Sequence, residues 1–292
     1  MPLRHAVVAT PLAHLQSRPD HRSELKSQRA AGEVLTVLDR RGGWVRAAGF
    51  DGYPGWVRDW SLRFLDPADA RAWAGAAQAF TRSHTVCVRE TPGGRVIAAL
   101  PFGARVRVEG RASGRPGWVT VELATGLKGV ARADELGGLE RRVERRGRFG
   151  RREQVGAQAA EIARRLAGAT YLWGGTSSWG VDCSGLVQLA YALSGVALPR
   201  DAKDQIRVTR RLVAGERPAV GDLLFFGRNG DVNHVAMVTL PPRFVHAYGR
   251  VEEATFQAGR KNAEDQKWAG GASVRPELAG ICLGVYRLPL AK

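Results

Sequence analysis

Cysteine, methionine and histidine are scarce in this sequence, with three Cys, two Met and six His among 292 residues. Cys87, Cys183 and Cys282 cannot all pair with one another, which excludes a disulfide framework and leans toward a reducing compartment. No run approaches the roughly 18 apolar residues that span a bilayer, so no membrane span is expected. The N-terminal MPLRHAVVATPLAHLQ has too short an apolar stretch for a secretion signal. The expectation is therefore a cytoplasmic protein, or an envelope one whose leader has been removed. Acidic residues are also in deficit: 28 Asp and Glu face 44 Lys and Arg, giving a net charge of +16. Such a balance favours polyanionic partners. No nucleic-acid recognition motif accompanies it, so no specific nucleic acid is expected, and anionic polymers or acidic peptides fit the charge equally well.

What is present begins with a weak internal repeat. GEVLTVLDRRGGWVRAAGFDGYPGWVRDWSL and GARVRVEGRASGRPGWVTVELATGLKGVARADEL each run from an alternating strand into a Gly-Trp-Val step. Eleven positions after Trp44 or Trp118 comes a second step, Gly55-Trp56-Val57 or Gly129-Val130. This spacing predicts short antiparallel strands joined by glycine turns, once over 1–68 and again over 78–138. The connector DPADARAWAGAAQAF reads as a short helix or a turn-rich link. A basic stretch over 139–153, carrying Arg141, Arg142, Arg145, Arg146, Arg148, Arg151 and Arg152, reads as a linker: a solvated connector, or a docking patch for an acidic partner.

Over 154–292 the pattern changes. Val155, Ala159, Ile162, Ala163 and Leu166 trace one face of an amphipathic helix. Then Gly174, Gly175, Thr176, Ser177, Ser178 and Gly180 lead into Cys183, after which Leu186, Val187, Leu189, Ala190 and Leu193 fall at helical spacing and Gly195 offers a stop. Cys183 is thus placed in a first helical turn, where the partial positive charge of the helix end favours a thiolate. Apolar segments at 222–226, 234–240, 243–249 and 282–288 follow as strands. Helices first and antiparallel strands after make an α+β layout, preceded by two small all-β units.

A cysteine nucleophile needs a base, and imidazole is the usual one. His5, His14, His21 and His84 lie in the N-terminal repeats, which leaves His234 as the base and His246 to orient it. Strand parity sets a condition on this pair. A two-residue hairpin closed by Leu240 and Arg243 places the two histidines on opposite faces unless a bulge intervenes.

YLWGG, DCSGLVQLAY, PRD, GDLLFF, NHVAMV and VHAYG together resemble the NlpC-type cell-wall cysteine peptidases, a compact branch of the papain-like hydrolases, and the repeats resemble bacterial SH3-like barrels of five to six strands. The resemblance implies a papain-like domain of helices packed on an antiparallel sheet. It makes Cys183 the nucleophile, His234 the base and His246 the third polar residue. Tyr171 and Trp173 correspond to groove-lining residues, Asp182 and Ser184 to the pair that contacts the free amine of a stem peptide, and Arg200 and Asp201 to a segment near the substrate cleft. Asp182 is also suited to cap the helix, and the two roles can coexist. The implied SH3-like domains bind wall material or close one end of the groove.

The expected activity is hydrolysis of the γ-D-glutamyl bond to the diamino acid of peptidoglycan stem peptides, whether in wall polymer or in recycled muropeptides, with no metal or organic cofactor. Two alternatives stand beside it. One is a wall-binding protein with a degenerate catalytic domain, against which the intact Cys and two His argue. The other is an amidase or acyltransferase on the same core, which would release different products.

Overall fold

The computed structural model describes residues 4–112, 115–138, 151–255, 278 and 280–289. Positions 139–150, most of the arginine-rich stretch, lie outside the described residues. The chain divides into two units: Met1–Val143 with Trp173–Trp179, and Glu144–Leu172 with Gly180–Lys292.

In the first unit, short segments that each bury part of their residues form strands. They are β1 (His5–Val8), β2 (Leu12–Gln16), β3 (Leu25–Ala30), β4 (Val34–Arg41), β5 (Trp44–Ala48), β6 (Pro54–Arg58) and β7 (Leu62–Leu65). They pair antiparallel in the order β3-β2-β6-β5-β4-β1-β7 and enclose Ala6, Val8, Leu15, Leu35, Val45 and Val57. The helix α1 (Pro67–Ala76) follows, capped by Asp66, whose carboxylate accepts the Asp69 N–H at 2.8 Å. Its Trp73 is buried and donates to the Gly32 carbonyl at 2.8 Å, so the connector is itself a packed element.

The second set is β8 (Ala79–Thr81), β9 (Thr85–Arg89), β10 (Val96–Pro101), β11 (Arg105–Arg111), β12 (Trp118–Glu122), β13 (Lys128–Arg132) and β14 (Leu136–Gly138). Its order, β10-β9-β13-β12-β11-β8-β14, repeats the first strand for strand. Trp44 and Trp118 each open the fifth strand of their set, and Gly55 and Gly129 each fall in the sixth. A side chain at either glycine would come within 2.6 Å of its neighbour, Leu15 Cβ in one set and the Arg89 carbonyl in the other. The repeated glycine is thus demanded by the close approach of the second and sixth strands. Each set has seven strands rather than five or six. A 3₁₀ turn, Asp59–Ser61 or Ala133–Glu135, lets the chain leave the sixth strand and return as a short seventh beside the first.

The segment Trp173–Trp179, with the short strand β15 (Thr176–Ser177), belongs to this unit although it lies far along the chain. The Thr176 N–H donates to Gln28 Oε1 at 3.0 Å, Trp173 Nε1 to Glu24 Oε1 at 2.9 Å and Trp179 Nε1 to Thr85 Oγ1 at 2.8 Å. Gly174 is at φ +78° and sits so close to the Leu25 carbonyl that a Cβ would lie 2.2 Å from it, so only glycine can make this turn.

The second unit contains α2 (Arg151–Arg165), β16 (Gly180–Val181), α3 (Cys183–Leu193), α4 (Ala202–Gln205) and the strands β17 (Arg210–Arg211), β18 (Leu223–Arg228), β19 (Asp231–Leu240), β20 (Arg243–Tyr248), β21 (Arg250–Thr255) and β22 (Cys282–Arg287). The sheet order is β17-β22-β18-β19-β20-β21, and every pairing described is antiparallel. Ala159, Ile162, Ala163 and Leu166 are buried as the amphipathic pattern predicts. β21 was not anticipated from the sequence, since RVEEAT has little apolar alternation; it forms because Gly249, at φ +80°, folds the chain back along β20. Among the described residues, no helix is long and apolar enough to cross a membrane.

Candidate active site

Cys183 is the first residue of α3, the position the loop-to-helix pattern predicts. Its predecessor Asp182 is the N-cap: the carboxylate accepts from the Gly185 N–H at 2.7 Å and from Ser184 Oγ at 3.1 Å. Gly195 closes the far end at φ +83°, just beyond the C-cap Ser194. A second constraint comes from Arg200, which is almost wholly buried. Its guanidinium donates to Asp182 Oδ1 at 3.0 Å, to Asp182 Oδ2 at 2.5 Å and to Ser184 Oγ at 2.9 Å. Gln205 Nε2 adds bonds to the Ser184 and Pro199 carbonyls, both at 3.0 Å, and so ties α4 to the first turn of α3.

The histidines meet the parity condition through a bulge. Leu240 and Arg243 do close a two-residue hairpin, but the register shifts between Val238 and Leu240, leaving Thr239 as the extra residue. Beyond it, Val238 faces Phe244 and Met237 faces Val245, so even-numbered residues of β19 and β20 share a face. His234 Nε2 and His246 Nδ1 lie 3.0 Å apart, both rings buried. Tyr248 stacks on His246 at 6.1 Å between ring centroids, and Phe226 lies against His234 at 5.5 Å.

The thiol of Cys183 meets β19 at the backbone of Val235. The N–H groups of Val235, which follows His234, and of Ser184 both act on it. With His234 Nε2 engaged by His246, Nδ1 is the ring nitrogen outside that contact. Burial pushes the Cys183 thiol up to about 11, helped by the Asp182 carboxylate and opposed by those two N–H groups and Arg200. Burial also pulls His234 down to about 3, with His246 acting in the same direction. Desolvation thus works against the thiolate that the helix end favours, and the same burial works against an imidazolium at His234. Tyr171 lies within electrostatic reach of Cys183 and Asp182, and burial raises its phenol to about 12.

Of the nine residues singled out from the sequence, eight fall in this unit. Cys183 lies next to the bonded pair His234 and His246, with Tyr171, Asp182, Ser184 and Arg200 around Cys183. Asp201 precedes α4 and accepts the Asp204 and Gln205 N–H groups through its backbone carbonyl, each at 2.9 Å. Trp173 belongs to the first unit, held by Glu24. The sequence reading missed Gln205 and Glu252. The second was legible: His246 and Glu252 are equidistant from Gly249, and they are direct partners across β20 and β21. Among the described residues, no group of three or more His, Cys, Asp or Glu is placed to hold a metal.

Residues 168–269 match the NlpC/P60 family, and residues 15–62 match the bacterial dipeptidyl-peptidase Sh3 domain. Dipeptidyl-peptidase 6 of Lysinibacillus sphaericus is 28% identical over 249 residues, covering 83% of this chain and 87% of the relative. The γ-D-glutamyl-L-lysine dipeptidyl-peptidase of Bacillus cereus is 26% identical over 243 residues, covering 77% of this chain and 68% of the relative. A solved NlpC/P60 family protein from Bacillus cereus superposes with a TM-score of 0.69 at 20% identity, over 98% of this chain and 100% of that one, and so shares the fold. With Cys183 opening a helix beside two bonded histidines, and two β-sets of one topology ahead of it, this chain joins bacterial SH3 architecture to an NlpC/P60 domain.

Proposed function

We propose that the protein is a cysteine endopeptidase that hydrolyses the γ-D-glutamyl bond to the diamino acid in peptidoglycan stem peptides. The observation that carries this reading is the 3.0 Å contact between His234 Nε2 and His246 Nδ1, which leaves His234 Nδ1 to serve a thiol at the start of α3. Two relatives bear names of dipeptidyl-peptidases, one of them acting at a γ-D-glutamyl-L-lysine bond, which supports the bond assignment.

The reaction starts from the neutral pair. As Cys183 Sγ attacks the γ-carbonyl, its proton passes to His234 Nδ1, and the backbone N–H of Cys183 faces the developing oxyanion. Burial that disfavours either charge alone is offset when both form together, because thiolate and imidazolium attract strongly where water is excluded. His234 then protonates the departing amine of the diamino acid, leaving a thioester. Water, deprotonated by His234, hydrolyses the thioester and returns the proton to sulfur. Tyr171, Asp182 and Ser184 surround the nucleophile and form the seat for the free amine of the peptide. Arg200 sets the position of that seat, since it holds both Asp182 and Ser184.

Replacing Cys183 by Ala should abolish release of the diamino acid from L-Ala-γ-D-Glu-diaminopimelate, followed by mass spectrometry. Turnover retained in that variant refutes the assignment, as does cleavage of a muropeptide by the unsubstituted protein between the glycan lactyl group and L-Ala.

A further inference from the structure

The direction of the proton path depends on which nitrogen of His246 carries hydrogen. For His234 to take a proton at Nδ1, its Nε2 must carry hydrogen and donate to His246 Nδ1, so His246 must carry its own hydrogen on Nε2. The reverse arrangement, with His246 Nδ1 donating to His234 Nε2, would put hydrogen on His234 Nδ1 and leave no acceptor for the thiol. The His–His contact alone is compatible with either arrangement.

Glu252 breaks this symmetry. It sits directly across β20 and β21 from His246, and its Oε1 lies 4.0 Å from His246 Nε2. The carboxylate is largely buried, and the imidazole is completely so, between Phe244 at 5.2 Å and Tyr248 at 6.1 Å centroid separation. In surroundings of this kind a negative charge at 4 Å acts strongly on a ring nitrogen, and it favours the tautomer with hydrogen facing it. The exposed Arg250 side chain donates its Nε to the other carboxylate oxygen, Oε2, at 3.2 Å.

Resting on the proposed peptidase reading, we infer that Glu252 is a positioning residue that fixes the tautomers of His246 and, through it, of His234, making the reactive cluster a relay of four residues. Glu252 touches no substrate in this role. It acts only on which nitrogen of each imidazole is free.

The test uses the full chain labelled with ¹⁵N-histidine and three variants. In the unsubstituted protein, the ring-nitrogen shifts should show His246 protonated at Nε2 and His234 unprotonated at Nδ1. Glu252→Leu should move hydrogen to His246 Nδ1 and lower kcat about 10- to 100-fold with KM within about two-fold, the range expected when a group orienting a functional histidine is lost. Glu252→Gln keeps an acceptor oxygen of the same reach and should restore the Nε2 tautomer and most of kcat; it also reads the tautomer should the leucine variant fail to fold. Arg250→Ala should leave the tautomer in place. An unchanged His246 tautomer in both Glu252 variants overturns the inference, as does an Arg250→Ala loss equal to that of Glu252→Leu. Because the shifts are read without substrate, a protein that cleaves no stem peptide overturns the peptidase reading while the tautomers still decide the role of Glu252.

Discussion

Arg200 illustrates how a single buried charge organises the nucleophile. It pairs with Asp182 through two nitrogens, bonds Ser184, and is 2% exposed, so its removal would strand a buried carboxylate at the start of α3. Breaking such a pair by deleting one partner costs about 3–5 kcal/mol. Arg200→Met should therefore lower the thermal midpoint markedly and reduce kcat, read by calorimetry and by peptide cleavage. Lys at this position should recover little of either, since a single ammonium cannot reproduce the two-nitrogen grip. The N-cap role of Asp182 is realised in the structure, and it explains why an acid precedes the cysteine whether or not a substrate amine also reaches it. Its neighbour in sequence predicted the helix boundary; its partner, eighteen positions on, is brought there only by the fold.

At the scale of the element, the β19–β20 hairpin decides whether there is a site. The short apolar runs HVAMVTL and RFVHAYG mark both as strands, buried continuously over 234–239 and 244–247, and Pro241-Pro242 marks the turn between them. Nothing in that pattern reveals that Thr239 is bulged, because a bulge is a property of two strands paired, not of one. Thr239 is stabilised there by a hydrogen bond from its hydroxyl to Glu253 Oε1 at 2.9 Å. Deleting Thr239 should turn the hairpin regular and move one histidine to the opposite face. The expected result is a protein that keeps its far-ultraviolet dichroism but loses peptidase activity by more than about 100-fold, comparable to loss of a general base. Full activity in the deletion variant would show that the bulge is not what joins His234 to His246.

At the scale of the whole molecule, the charge of +16 is unevenly spread, with seven arginines within 140–153. If this stretch docks on an anionic wall polymer, retention on that polymer should fall steeply as salt rises from about 0.05 to 0.5 M, where the screening length contracts to a few ångströms. Substituting Arg141, Arg142, Arg145 and Arg146 by Gln should remove most of the retention at low salt while leaving cleavage of a small stem peptide unchanged. Retention independent of both salt and these residues would assign binding elsewhere.

The sequence alone determined the two-part composition of the chain, the twofold β-repeat, the α+β order of the C-terminal region, the first-turn place of Cys183 and the pair of histidines that could serve it. Each of these rests on local rules: side-chain periodicity, capping, and the turn preferences of glycine. Tertiary structure decided the rest. It assigned Trp173–Trp179 to the N-terminal unit, paired Asp182 with Arg200, bulged Thr239 to bring His234 onto the face of His246, and set Glu252 behind it. It also buried Cys183, and that desolvation, which sums over everything the folded chain packs around the sulfur, works against the thiolate that a helix end favours.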